Sequence, residues 1–150
     1  MANGRYDIYF QIVPENQFTG SKFFSWGQQR TLGVRGIQKL VNLFVKYLMT
    51  PIGSDPLDTT YGTDLPHLIG SNISIDDAKD ILLLAVDKTA KAIQGFQISS
   101  DVPDDERLAT ATVTDFIAIP EAPGFAAQIF IDNVADQGLT FLLPTLTPRA

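Results

Sequence analysis

Three glutamates, a single histidine and one acidic cluster are the groups with which this chain could build a reaction. Glycoside hydrolysis needs two positioned carboxyls, one of them held protonated by an apolar setting. Glu15, Glu106 and Glu121 all fall in polar, loop-like stretches, and the aspartates mostly occupy cap and turn positions, so hydrolase chemistry is not expected. His67 has no second histidine and no cysteine to join it, which leaves a metal site only carboxylates to draw on. Asp101, Asp104, Asp105 and Glu106 are dense enough to suggest calcium, but they lack the glycine and the ligand order of a dedicated loop. That run reads as a solvated acidic turn. No serine elbow, phosphate-cradling Gly-x-x-x-x-Gly-Lys or dinucleotide fingerprint occurs, so no enzyme activity and no cofactor are expected.

The composition points the same way. A chain of 150 residues that is 45% hydrophobic and 19% charged is sized for one domain with a real core. Its net charge of −6 opposes a duplex nucleic-acid partner, and Arg30, Arg35, Lys39 and Lys46 read as a solvated helix face. With no cysteine there are no disulfides or thiolate sites, and no apolar run approaches the roughly 20 residues that span a bilayer. Neither nucleic acid nor membrane is expected as a partner.

The elements that would position these groups follow in order. Residues 1–31 read as an extended N-terminal arm, with a strand over Tyr6–Val13 and aromatic anchors at Phe18, Phe23, Phe24 and Trp26. Residues 32–150 read as a single α+β domain. Its first helix is predicted from Leu32 or Gly33 to Met49, with Val34, Ile37, Val41, Phe44 and Leu48 on one face and Gln38, Lys39, Asn42 and Lys46 on the other. Pro51 ends it. The stretch Thr50–Gly70 is dense in residues that restrict or bend the backbone, and reads as a rigid ordered loop with a helical turn at Pro66. A substitution Gly62→Val is expected to harm assembly more than the isolated fold if Gly62 has a positive φ at an exposed turn.

A second helix starts at Ser74, capped with Asp77, carries an apolar face widened almost all round by Leu83 and Leu84, and is predicted to stop at Gly95. Phe96 and Ile98 suggest a short strand. Beyond Ser99–Glu106 the pattern alternates: Ala109, Ala111, Val113, Ile117 and Ile119 on one face, then Phe125–Ile131 and Leu139–Leu143. Three such segments joined by short turns predict an antiparallel β-meander. The expected fold is therefore α+β, two main helices packed on a C-terminal antiparallel meander, with an extended arm.

From Leu32 to Leu143 the chain resembles the small baseplate wedge protein of contractile phage tails, also called the sheath initiator, which is related to a type VI secretion baseplate component. The resemblance lies in the helix and its following loop: Gly53-Ser54, Pro56, Asp58, Tyr61-Gly62 and Asp64-Leu65. Some members have been labelled lysozyme-like, an activity the carboxylates here do not support. Many carry Glu-Pro-Arg near the end of the second helix, where this chain has Ala90-Lys91-Ala92.

The resemblance implies a structural subunit of the virion's tail baseplate, made in the host cytoplasm. It implies other wedge subunits and the tail sheath protein as partners, with hub or tube proteins as further ones. The loop residues Gly53, Ser54, Asp55, Pro56, Tyr61, Gly62, Asp64 and Leu65 are the candidate docking set. The meander supplies the second candidate. No lysine occurs from Ala109 to Leu143, so its edges lack one common block against strand addition, and Thr112, Gln128 and Thr140 mark the three strands that could be an edge; the alternative is that the strand Tyr6–Val13 or another segment of the same chain covers that edge. A lysozyme-like hydrolase and an adaptor without a sheath partner are the other expectations.

Overall fold

The structure is a computed structural model that describes residues 7–8, 33–68, 73–118 and 125–144. Two helices lie against one face of a three-stranded antiparallel sheet. The elements are β1 (Asp7–Ile8), β2 (Gly33–Val34), α1 (Ile37–Leu48), α2 (Ile75–Ile98), β3 (Leu108–Ala118), β4 (Phe125–Asn133) and β5 (Gly138–Pro144). The expected α+β architecture is the observed one.

Helix α1 begins later than its apolar periodicity suggests. Gly36 holds φ 62°, outside the helical region, and its carbonyl accepts the first helical bond from Leu40 at 3.1 Å. Gly33 and Val34 instead pair with Ile8 and Asp7 as a two-residue antiparallel ladder. The remainder of the predicted strand Tyr6–Val13, and the aromatic anchors of the arm, lie outside the described residues. Leu40, Val41, Phe44, Tyr47 and Leu48 form the buried stripe. Asn42, assigned to the solvent face, is buried as well, and its Oδ1 accepts from Gln38.

Helix α2 has its predicted start. The Ser74 hydroxyl accepts from the Asp77 amide at 3.1 Å, and Asp76 and Asp77 sit in the first turn, where the helix dipole favours them. The stop at Gly95 is overturned, since the helix runs on to Ile98, and the strand expected from Phe96 and Ile98 does not form. Glycine costs a helix about 1 kcal/mol. Here that cost is offset by Phe96, which stacks on Tyr61 and packs on Tyr47, and by Gln97, which bonds to β3. Leu83 and Leu84 are exposed, so α2 buries one face, not nearly all of its circumference.

In the sheet β4 is central, flanked by β3 and β5. Phe125, Ala127, Ile129, Ile131 and Asn133 of β4 are buried, every second residue. Opposite them stand Leu139, Phe141 and Leu143 of β5, with the predicted phase. Strand β3 departs from simple alternation. Register shifts at Leu108/Thr110 and Val113/Asp115 each insert one residue, so the residues opposite the buried β4 set are Leu108, Ala111, Val113, Phe116 and Ala118. Phe116 then packs on the core, while Ile117, predicted inward, is exposed.

Phe44 meets Phe141 edge-on at 6.3 Å, joining α1 to β5. A buried polar knot closes the other end. Lys39 on α1 donates to Glu106 at 2.9 Å, and Asn133 Nδ2 donates to the Asp105 carbonyl at 2.7 Å. The acidic run is therefore not wholly solvated: Asp104–Glu106 form a 3-10 turn with Glu106 buried.

Candidate functional site

The loop 49–64 is built back onto the end of α1. Pro51 and Thr63 form a parallel bridge, with Ile52 donating to the Thr63 carbonyl at 3.0 Å and Thr63 donating to the Thr50 carbonyl at 2.9 Å. The buried Thr63 hydroxyl donates to the Leu48 carbonyl at 2.6 Å and accepts from the Leu65 amide at 3.2 Å. One threonine thus satisfies a helix-end carbonyl and begins the next turn. Gly62, at φ 101°, lies so close to Thr50 that a Cβ there would stand 2.2 Å from its carbonyl oxygen.

The tip of the loop is held by side chains. Ser54 donates through its hydroxyl to the Pro51 carbonyl at 2.6 Å. Asp55 Oδ1 accepts from the Leu57 amide at 2.8 Å, and Asp58 Oδ1 accepts from both the amide and the hydroxyl of Thr60, at 2.9 and 2.6 Å. Because the Thr60 hydroxyl and amide bond to its charged form, the Asp58 carboxyl titrates below its ordinary value. Tyr61 is pinned the other way, its ring 4.5 Å from that of Tyr47, and burial pushes its phenol above the usual tyrosine range.

The candidate docking set therefore divides. Gly53, Ser54, Pro56 and Asp64 face solvent and Asp55 is half-buried, whereas Gly62 and Leu65 are buried and Tyr61 is packed between helices. Gly62 and Leu65 hold the loop and are not available to a partner. The condition set for Gly62→Val is met in its φ of 101° but not in its exposure: Gly62 is buried against Thr50, where a larger side chain strikes the fold itself.

The second candidate, the sheet edge, also resolves. Gln128 lies on the central strand and is not an edge residue, while Thr112 and Thr140 lie on the outer strands. The two outer strands are unlike. The start of β3 is closed by α2: Gln97 accepts from the Leu108 amide at 2.8 Å and donates to the Glu106 carbonyl at 2.9 Å, and Gln94 donates to the Ala109 carbonyl at 2.9 Å. Two bulges and the exposed Asp115 interrupt the rest of β3.

Strand β5, GLTFLLP, has neither charge nor bulge, and among the described residues no strand pairs with its outer side. Asn133 donates to the Gln137 carbonyl at 3.1 Å to close the β4–β5 hairpin. Alternation from that pair turns the N–H and C=O groups of Thr140 and Leu142 toward the open side. Pro144, next in that series, has no N–H and ends it.

Sequence reasoning missed Gln94 and Gln97, whose i, i+3 spacing on α2 is the one signal that they share a face. It also missed Leu57, the most exposed large apolar side chain described, at 96%. Lys91 pairs with Asp87 at 2.7 Å on the exposed side of α2. Among the described residues no group of three or more histidine, aspartate or glutamate side chains is placed to hold a metal ion, and no helix is long and apolar enough to cross a membrane. No protein-family model matches the chain, and a comparison with curated proteins finds no relative.

Proposed function

We propose that this chain is a structural subunit of a contractile phage tail baseplate, linking the wedge to the tail sheath by accepting a sheath strand along β5 and so templating the first sheath ring. The observation that carries the reading is the asymmetry of the sheet: β3 is blunted by Gln94, Gln97, two bulges and Asp115, and β5 by none of these. Strand addition draws affinity from main-chain hydrogen bonds and register from alternating side chains. An uncharged edge that offers the amides of Thr140 and Leu142 suits that mode.

The resemblance in the helix and loop up to Leu65 supports the tail assignment, and the ordered loop gives the subunit a second face for other wedge, hub or tube proteins. The site of action is the virion, reached from the host cytoplasm. The role proposed is a non-catalytic one, and it is supported by Glu106, which is ion-paired with Lys39 at 2.9 Å, while Glu15 and Glu121 lie outside the described residues.

A density map of the assembled tail tests the proposal. A foreign strand continuing the sheet beyond β5 is the expected result, and a map in which nothing pairs there overturns it. Thr140→Pro should block sheath attachment where Thr112→Pro does not. Purified protein should leave a bacterial cell-wall suspension turbid.

A further inference from the structure

The loop tip presents an apolar side chain in a setting that solvent does not favour. Leu57 is 96% exposed, and burying such a side chain is favourable wherever a partner offers the space. Its backbone is already fixed: Asp55 Oδ1 holds the Leu57 amide, Asp58 Oδ1 holds Thr60, and the Asp58 carbonyl accepts from Tyr61 at 3.1 Å. Ordering a loop is a main cost of binding, and here folding has met it beforehand.

The loop itself carries charge of one sign. No lysine or arginine occurs in the 32 residues between Lys46 and Lys79, while Asp55, Asp58 and Asp64 all fall within them. The field of Lys88 reaches Asp58 from α2, and it is the weakest of the influences on that carboxyl.

We propose that Leu57 is an anchor for a partner protein whose surface has an apolar pocket rimmed by lysine or arginine, with Asp55 and Asp58 meeting that rim. The inference rests on the docking-loop part of the proposed function and needs neither the β5 edge nor a tail. A second copy of this acidic chain is a poor occupant, since like charges would face one another.

The test places the photo-reactive residue p-benzoylphenylalanine at position 57 of the full-length chain in the cells that make it. The same label at Ile98, 87% exposed, is the control. The expected result is one dominant cross-linked protein from position 57 alone, joined at an apolar pocket with lysine or arginine beside it. With that protein purified, Leu57→Ala should weaken association about tenfold or more while leaving the thermal midpoint within about 1 °C. Asp55→Asn together with Asp58→Asn keeps both acceptor oxygens and removes both charges, and should weaken association and flatten its salt dependence.

No cross-link at position 57, equal cross-linking at Ile98, a cross-link to a second copy, or a contact without basic neighbours overturns the proposal. Unchanged association of Leu57→Ala, or unchanged salt dependence of the asparagine pair, does so too. A chain incorporated into tails with position 57 unlinked would sink this inference and leave the proposed function standing. A pocket of the stated kind on a protein unrelated to tails would do the reverse.

Discussion

Gln97 stands beside Leu108 as a neighbouring strand would, its Oε1 accepting the Leu108 amide at 2.8 Å while its Nε2 reaches the Glu106 carbonyl at 2.9 Å. A side chain of α2 thereby completes the hydrogen bonding of the first residues of β3.

Gln97→Ala leaves that buried amide and carbonyl unmet, and each such group costs about 1–3 kcal/mol. Denaturant unfolding should show a loss of about 3 kcal/mol, and Gln97→Met, which keeps the volume without the bonds, should lose a similar amount. A Met variant as stable as the parent would show that packing, not pairing, matters here.

The glycines of the loop should separate sharply. Gly62→Ala meets the Thr50 carbonyl oxygen at 2.2 Å and adds left-handed strain, so a loss of more than about 3 kcal/mol is expected. Gly53 also has a positive φ, 81°, but nothing lies within 4 Å of its absent Cβ, and Gly53→Ala should cost about 1–2 kcal/mol. Thermal unfolding of the two variants side by side checks the contrast.

Proline should read the sheet order. In β4, Gln128→Pro is flanked by ladders on both sides and should abolish the cooperative unfolding transition. Thr140→Pro removes an amide that faces away from β4 and should leave the far-ultraviolet circular dichroism close to that of the parent. Equal damage from both would place the Thr140 amide in the β4–β5 ladder instead.

Two groups of the loop give opposite pH responses. The Asp58 carboxyl is depressed below its ordinary 3.8, so what it contributes is present above that value and fades as pH falls through its folded midpoint. The Tyr61 phenol is raised above its ordinary 10.0, so its contribution is present below 10.0 and fades as pH rises through its folded midpoint. A carbonyl-detected titration should find Asp58 below 3.8, moving upward in Thr60→Val. Ultraviolet titration should find one tyrosine above 10.0, returning toward it in Phe96→Ala.

Much of the architecture was legible because its periods are clean. The 3.6-residue stripe through Val41, Phe44 and Leu48, the Ser74 cap and the two-residue alternation of β4 each have one reading. The misses share a cause: a local signal was outvoted by contacts distant in sequence. Val34 keeps the phase of α1 but is taken by β1, and Gly95 would end a helix that Phe96 and Gln97 hold together. The bulges of β3 fall at Ala109 and Thr114, residues that carry no mark of an insertion. Within the docking set, composition identified a rigid loop but not which side of it faces out. Gly62 and Leu65 turned inward, and Leu57, whose hydropathy argues for burial, became the tip.

The unlike flanks of the meander also fix its valency. A sheet open on both sides is a monomer for polymerisation, because each added strand arrives with a fresh side for the next. Among the described residues, Gln94 and Gln97 stop one flank and Pro144 limits the length of the other, so the sheet is open on one side in place of two. In the proposed role, β5 is the one flank of the described sheet to which a strand can add, so growth would leave a ring of such subunits in a single direction.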